Sequence, residues 1–125
     1  MTFRRFEEIE AWQIARKIAG RLYDLTDRGA FARDYPLRDQ VRRAVISIMS
    51  NIAEGFSRRS DREFSQYLFM AKASAAELQS HLYIALDRHY LMQNDFNQIY
   101  DQLDHYSRQV SKLITYLRRD PRKTA

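Results

Sequence analysis

Residues 95–119 read DFNQIYDQLDHYSRQVSKLITYLRR, and their apolar side chains recur at alternating spacings of three and four. Such spacing keeps apolar side chains on one face of an α-helix. Asn94 is a suitable N-cap, and the basic pair Arg118–Arg119, followed by Pro121, suits the end of a helix. We therefore predict a helix over residues 95–119 with a core face of Phe96, Ile99, Leu103, Tyr106, Val110, Leu113 and Leu117.

Three earlier segments show the same helical period. In one of them, Ser60 and Glu63 form a capping box, in which each side chain satisfies a backbone N–H group at the start of the helix. Pro36 favours the first turn of another segment, and Gly29 suits the end of the first. The three predicted helices cover residues 6–28, 37–57 and 61–89.

The length and composition fit one globular domain. The chain has 125 residues, of which 45% are hydrophobic, and only three Gly and two Pro interrupt the backbone. The connections between the predicted helices are short, apart from about eight residues between the first two, and short connections place consecutive helices side by side and antiparallel. We predict an all-α fold, an up-down-up-down antiparallel four-helix bundle, as a single domain over residues 1–125.

Composition also restricts the function. The absence of cysteine excludes disulfides, thiolate catalysis and cysteine-ligated zinc sites. The N-terminal residues lack the apolar centre of a signal peptide, and no apolar run reaches the ~18 residues of a membrane span. The chain is therefore expected to be cytoplasmic and to have no membrane partner. Its net charge of +5 favours polyanionic partners.

A polar stripe follows the second predicted helix and faces a matching set on the third. Pairing the two helices antiparallel about a turn near residue 59 brings Arg43 level with residues 75–77. We therefore predict a buried or half-buried ion pair between Arg43 and Glu77, within a polar network that orients helices and performs no chemistry. The predicted network consists of Arg43, Ser47, Asn51, Glu54, Ser74 and Glu77.

The residues define no catalytic or metal centre. The serines of the second helix have no histidine in that helix to serve as a base. Two acid–histidine pairs at i, i+4 could in principle ligate one metal ion. They are Glu77 with His81 and Asp101 with His105. However, Asp101 and His105 flank the apolar seam and are expected to face solvent. We expect a protein that is not an enzyme and has no metal or cofactor.

The run from Gln40 to Gly55, QVRRAVISIMSNIAEG, resembles the core motif of four-helix-bundle proteins encoded within intervening sequences of bacterial large-subunit ribosomal RNA genes. That family is similar to the accessory variability determinant of diversity-generating retroelements. Matching residues continue through Trp12-Gln13 in the first helix and from Glu63 to Leu78 in the third, so the resemblance covers nearly the whole chain.

The resemblance implies a four-helix bundle that assembles as a ring-shaped homopentamer. In the retroelement relatives it also implies a basic surface that engages nucleic acid and a reverse transcriptase. The chain departs from the family pattern at Met49, where Pro is usual, and at Ala73, where Gly is usual. Self-association is also favoured by apolar residues outside the primary helix faces, namely Ile14, Tyr23, Ile46, Met49, Tyr67, Phe69, Met70, Tyr83, Ile84, Tyr100, Ile114 and Tyr116.

The distribution of charge indicates a basic lateral surface. The middle of the predicted bundle holds eight basic and three acidic residues. If the first and last helices are adjacent and antiparallel, Arg16 and Lys17 come level with Arg108. The predicted function is a non-enzymatic, self-associating module that binds DNA or RNA with little sequence specificity; the alternative is a protein-interaction scaffold with no nucleic-acid role. The candidate nucleic-acid contacts are Lys17, Arg21, Arg108 and Lys112.

Overall fold

The computed structural model describes residues 3–119. Within this range the chain forms only helices, and four of them are long, so the predicted all-α bundle class is confirmed. The elements are a short 3-10 turn (Phe6–Glu8), α1 (Glu10–Thr26), α2 (Gly29–Arg33), α3 (Tyr35–Phe56), α4 (Asp61–Asp87) and α5 (Gln93–Arg119).

The four long helices pack in a ring in chain order, with α5 closing the ring against α1. Polar contacts between α3 and α4 show their relative direction. The hydroxyls of Ser47 and Ser74 lie 2.9 Å apart, and Tyr67 donates a hydrogen bond to Glu54 at 3.3 Å. Because later residues of α3 meet earlier residues of α4, these two helices are antiparallel.

Helices α4 and α5 are antiparallel as well. The Lys72 ammonium donates to the Ser111 hydroxyl at 2.8 Å, and the Gln79 amide donates to Asp104 at 2.9 Å. These two hydrogen bonds cross between the helices seven residues apart and so fix their register.

The core is built from the apolar faces of the four long helices, and Tyr106 lies fully buried within it. The other three long helices each contribute a buried alanine to this core, Ala11, Ala44 and Ala75 among them. The Tyr106 hydroxyl has no hydrogen-bond partner among residues 3–119. Burial therefore raises the pKa of Tyr106 well above the ordinary tyrosine value.

The helix starts follow local cap chemistry. The Ser60 hydroxyl accepts a hydrogen bond from the Glu63 N–H at 3.1 Å, which is one half of the predicted capping box. Asp34 caps α3, since its carboxylate accepts from the Leu37 N–H at 3.2 Å. Helix α5 begins at Gln93, so Asn94 lies in its first turn rather than at its cap.

The connection after α1 differs from the prediction. Helix α1 ends at Thr26, and Gly29, which was expected to end it, has a φ of +57° and starts the short helix α2. Phe31 of α2 is buried and stacks on Tyr90 with ring centroids 5.3 Å apart. This aromatic contact anchors a segment that is too short for a helical repeat to be visible in the sequence.

Candidate interaction surfaces

A hydrogen-bonded seam joins α3 to α4. Beside the Ser47–Ser74 hydrogen bond, the Asn51 amide donates to the Ser47 carbonyl at 2.9 Å and to the Ser47 hydroxyl at 3.1 Å. All three side chains are half-buried. The structure therefore brings together Ser47, Asn51 and Ser74 as part of the expected polar network.

The same seam continues toward the α3–α4 turn. There the Arg58 guanidinium lies 2.9 Å from the Glu54 carboxylate and also donates to the Tyr67 hydroxyl. The helices lie close together beside this group, because a Cβ added to Gly55 would lie 2.6 Å from the Cβ of Tyr67. Glu54 thus contacts α4 through Tyr67, a residue that was not part of the predicted network.

The predicted ion pair between Arg43 and Glu77 is wrong. The expected level is nearly right, since the Ser47–Ser74 hydrogen bond places Arg43 opposite residue 78. Each step of four residues, however, rotates a position by about 40° around a helix, and this rotation carries Arg43 away from the seam. Both Arg43 and Glu77 are exposed, and Glu77 lies 3.5 Å from His81 instead.

Arg42, the neighbour of Arg43, does link two helices. Its Nε donates to the Thr26 hydroxyl at 2.9 Å, and its guanidinium carbon lies 4.5 Å from the centroid of the Tyr23 ring. Its Nη2 also lies 4.0 Å from the carboxylate of Asp27. Arg42 therefore links α3 to the C-terminal end of α1. This role depends on where α1 ends, which the sequence did not predict.

The four candidate nucleic-acid contacts do not form one compact patch. Arg21 is half-buried and forms an ion pair with Asp95 at 2.7 Å, so its charge is matched within the chain. This pair, with Glu10 4.0 Å from His105, sets the register of α1 and α5. Lys17 is then level with residues 98–99, so Arg108 lies about ten residues, or roughly 14 Å, further along α5.

The exposed faces of α1 and α5 are nevertheless polar and carry a basic excess. Lys17, Arg108 and Lys112 are all exposed on them. The exposed charged residues of these two helices are the basic Arg16, Lys17, Arg108, Lys112, Arg118 and Arg119 and the acidic Glu10, Asp24 and Asp101. Arg118 lies over the ring of Phe69 on the α4 side. The other basic residues, Arg16, Lys17, Arg108, Lys112 and Arg119, form an extended strip rather than a cluster, and we call it the basic strip.

The outer face of α4 is different in character. We call its exposed apolar residues, Phe69, Met70, Ala73, Ala76 and Ile84, the α4 apolar face. Phe69, Met70 and Ile84 expose 46%, 47% and 49% of their surfaces, which is unusual for large apolar side chains grouped on one helix. Ile46 of α3 is exposed to a similar extent.

The other apolar residues expected outside the primary faces differ in exposure and fall into three groups. Ile14, Met49, Tyr67 and Tyr100 are half-buried, and Ile114 is buried in the core. Tyr23, Tyr83 and Tyr116 are exposed. The apolar surplus therefore concentrates on α4.

The two acid–histidine pairs do not converge. His81 lies beside Glu77, whereas His105 lies beside Glu10 of α1. Within residues 3–119, no group of three His, Cys, Asp or Glu side chains is placed to hold a metal ion. In the same range, none of the helices combines the length and the apolar character needed to cross a bilayer.

These features define a small antiparallel helical bundle with one apolar and one basic outer side. The family model of the 23S rRNA-intervening sequence proteins matches residues 7–112, and the chain belongs to that family. Its fold is similar to the crystal structure of a protein of unknown function from the S23 ribosomal protein family of Bacteroides thetaiotaomicron. That similarity has a TM-score of 0.77 and 18% sequence identity and covers 84% of this chain and 95% of the other. A search of curated proteins gives no match.

Proposed function

We propose that this chain is a non-enzymatic module that self-associates through the α4 apolar face and binds nucleic acid through the basic strip on α1 and α5. The observation that carries the proposal is the division of the surface. Helices α1 and α4 are diagonal in the ring of helices, so assembly through α4 leaves α1 free to contact another molecule.

The α4 apolar face supports self-association because burying exposed apolar surface in a contact between copies is favourable in free energy. Burying it yields about 25 cal/mol per Å² of apolar surface. Ala73 and Ala76 lie between the larger side chains, and small residues let a second helix approach closely. A different patch on the neighbouring copy would produce a ring if the rotation between copies closes, and the family resemblance implies five copies.

The basic strip supports nucleic-acid binding by charge alone. Its side chains are long, exposed and separated along α5, which suits contact with successive phosphates rather than with base edges. A ring would repeat the strip around its rim, and several weak contacts on one nucleic acid would then act together.

Sedimentation velocity on matched variants tests the assembly. Ala73→Glu places a charge within the α4 apolar face and should leave a monomer of 15.0 kDa, whereas the wild type should sediment as a larger species. Gln102→Glu adds the same charge on the exposed side of α5 and should assemble like the wild type. A wild-type monomer at tens of micromolar would contradict the proposal, and circular dichroism should show equal helicity in all three.

Titration of labelled duplex and single strands at several salt concentrations tests nucleic-acid binding. Each phosphate contact should contribute a log–log slope of about −0.9 on duplex DNA. The Arg108→Glu/Lys112→Glu variant should flatten this slope, whereas Arg28→Glu/Arg33→Glu, at the far end of the bundle, should keep it. If the wild type assembles but binds no nucleic acid, the protein-interaction scaffold becomes the better explanation.

A further inference from the structure

An open cleft lies at the end of the bundle that holds the α3–α4 turn. It has a volume of about 1100 Å³ and is lined by residues of that turn, of the first turns of α4 and of the end of α5. Within the described part of the chain, three of its lining residues are arginines, Arg59, Arg62 and Arg118. Basic residues from separate parts of the chain therefore surround one space.

Ser65 gives this cleft a polar group with no partner. The residue is 3% exposed, and its hydroxyl makes no hydrogen bond within residues 3–119. It lies two helical turns before Lys72, which bonds to Ser111, so both face α5, where Leu117 and Arg118 form the opposite wall of the cleft. A buried hydroxyl without a partner is costly, and a ligand atom in the cleft would satisfy it.

The start of α4 adds backbone donors at the same place. The N–H groups of Asp61 and Arg62, the first two residues of the helix, have no carbonyl in the helix to which they can donate. The third, that of Glu63, is already bonded to the Ser60 hydroxyl. The positive end of the helix dipole further favours an anion here.

The charges around the cleft are largely unmatched. Arg59 and Arg62 take part in no ion pair within residues 3–119, and Arg118 lies over the ring of Phe69 at 5.7 Å rather than beside a carboxylate. Among the lining residues that the structure describes, only Asp61 is acidic. Its carboxylate opposes an anionic ligand and should weaken binding without preventing it.

We infer that this cleft binds a phosphate group, either inorganic phosphate or a phosphate monoester. Such a group carries a charge of about −1.5 to −2 near pH 7, and its oxygens point in several directions. The Ser65 hydroxyl and the two N–H groups would donate to these oxygens, and the three guanidinium groups would balance the charge. The cleft shares Phe69 with the α4 apolar face but none of the residues of the basic strip, so this inference does not depend on nucleic-acid binding by that strip.

A titration of the 15N-labelled protein with inorganic phosphate, at constant ionic strength with chloride as the reference, tests the site. We expect saturable shifts of the backbone amide signals of Asp61 and Arg62 with phosphate only. Shifts that do not saturate, or that chloride reproduces, would overturn the inference.

Variants separate this site from general charge attraction. Ser65→Ala should weaken phosphate binding about tenfold, the effect of losing one good hydrogen bond, while folding as well as the wild type because it removes an unsatisfied hydroxyl. Asp61→Asn should strengthen binding by removing the opposing charge. Arg33→Gln, at the far end of the bundle, should bind like the wild type. Unchanged affinity in both Ser65→Ala and Asp61→Asn would contradict the assignment.

The source of the phosphate is decided by oligonucleotides of one sequence with either a 5′-phosphate or a 5′-hydroxyl. Tighter binding of the 5′-phosphate form, lost in Ser65→Ala, would identify a nucleic-acid end as the ligand. Equal binding of both forms, together with saturable inorganic phosphate binding, would identify free phosphate. If neither inorganic phosphate nor the 5′-phosphate is distinguished from its reference, the inference is wrong.

Discussion

Ser47 on α3 and Ser74 on α4 form a direct hydrogen bond with their hydroxyl oxygens 2.9 Å apart. A slip of one helical turn would set Ser47 against Ala71 or Leu78, both fully buried apolar residues. The Ser47 hydroxyl would then lose its partner on α4 and keep only the Asn51 amide of its own helix, and losing a hydrogen bond costs about 0.5–1.5 kcal/mol. This pair therefore selects one register between the two helices.

Ser74→Ala should lower the free energy of unfolding by about 1 kcal/mol, because the Ser47 hydroxyl loses its partner across the seam. Urea denaturation followed by circular dichroism measures this change. Ser80→Ala, an exposed position on the same helix, is the matched control and should change stability by less than about 0.5 kcal/mol. Equal effects of the two substitutions would show that the hydrogen bond has no energetic role.

Gly55→Ala and Gly20→Ala should act in opposite directions. At Gly55 the new methyl group would lie 2.6 Å from the Cβ of Tyr67, so α3 and α4 must separate, at a cost of about 1–3 kcal/mol. At Gly20 no atom lies within 4 Å of the added group, and alanine should stabilise the helix by about 0.5–1 kcal/mol. Thermal and urea unfolding of both variants would show the difference, and destabilisation by Gly20→Ala would contradict it.

Tyr106→Phe should stabilise the protein by about 1 kcal/mol, since it removes a buried hydroxyl that has no partner and keeps the ring in place. Tyr90→Phe provides the contrast, because the Tyr90 hydroxyl donates to Asp34 at 2.9 Å. That variant should lose about 1 kcal/mol. Destabilisation by Tyr106→Phe would mean that the hydroxyl has a partner, such as a buried water.

Alkaline pH should destabilise the wild type more steeply than Tyr106→Phe. Burial raises the pKa of Tyr106 in the folded protein, whereas the unfolded chain loses this proton near pH 10. The contribution of protonated Tyr106 to the free energy of unfolding is therefore complete below about pH 10. It falls as the pH rises further, by up to about 1.4 kcal/mol per pH unit. Urea midpoints at increasing pH measure it, and equal slopes for the two proteins would refute the assignment.

The helical repeat predicted most of the core but not its end. Six of the seven residues expected on the α5 seam are buried, while Leu113 is half-buried and Ile114 takes its place. An α-helix has 3.6 residues per turn, so a strict seven-residue pattern drifts around it by about 20° per heptad. By the third heptad the drift is enough to exchange Leu113 for its neighbour.

The register of α1 along α5 could not be predicted from the sequence. The expectation that Lys17 is level with Arg108 assumed two helices of similar length. Helix α1 has 17 residues and α5 has 27, so many registers bury the same apolar faces. The Arg21–Asp95 pair identifies the actual register, but nothing in the sequence marks those two residues as partners.

The sequence also could not predict the direction in which an individual polar side chain points. Arg42 and Arg43 are adjacent, and the prediction gave the helix-linking role to the wrong one. Neighbouring residues of a helix are separated by a rotation of about 100° around its axis. This angle is large enough to turn one residue toward the neighbouring helix and the next toward solvent. The sequence pattern located the polar stripe, but the final rotation depends on how α3 settles against both α1 and α4.

The connection between α3 and α4 has only four residues, Ser57 to Ser60, and this brevity has a consequence for the order of folding. Closing a short loop costs less chain entropy than bringing distant segments together, so this hairpin should form before α1 docks, because α1 is joined to α3 by the longer segment from residue 27 to residue 34. Ser74→Ala should then mainly slow refolding, whereas Ile18→Val in α1 should mainly accelerate unfolding. Stopped-flow refolding and unfolding of the two variants would show whether the α3–α4 hairpin forms before α1 packs against it.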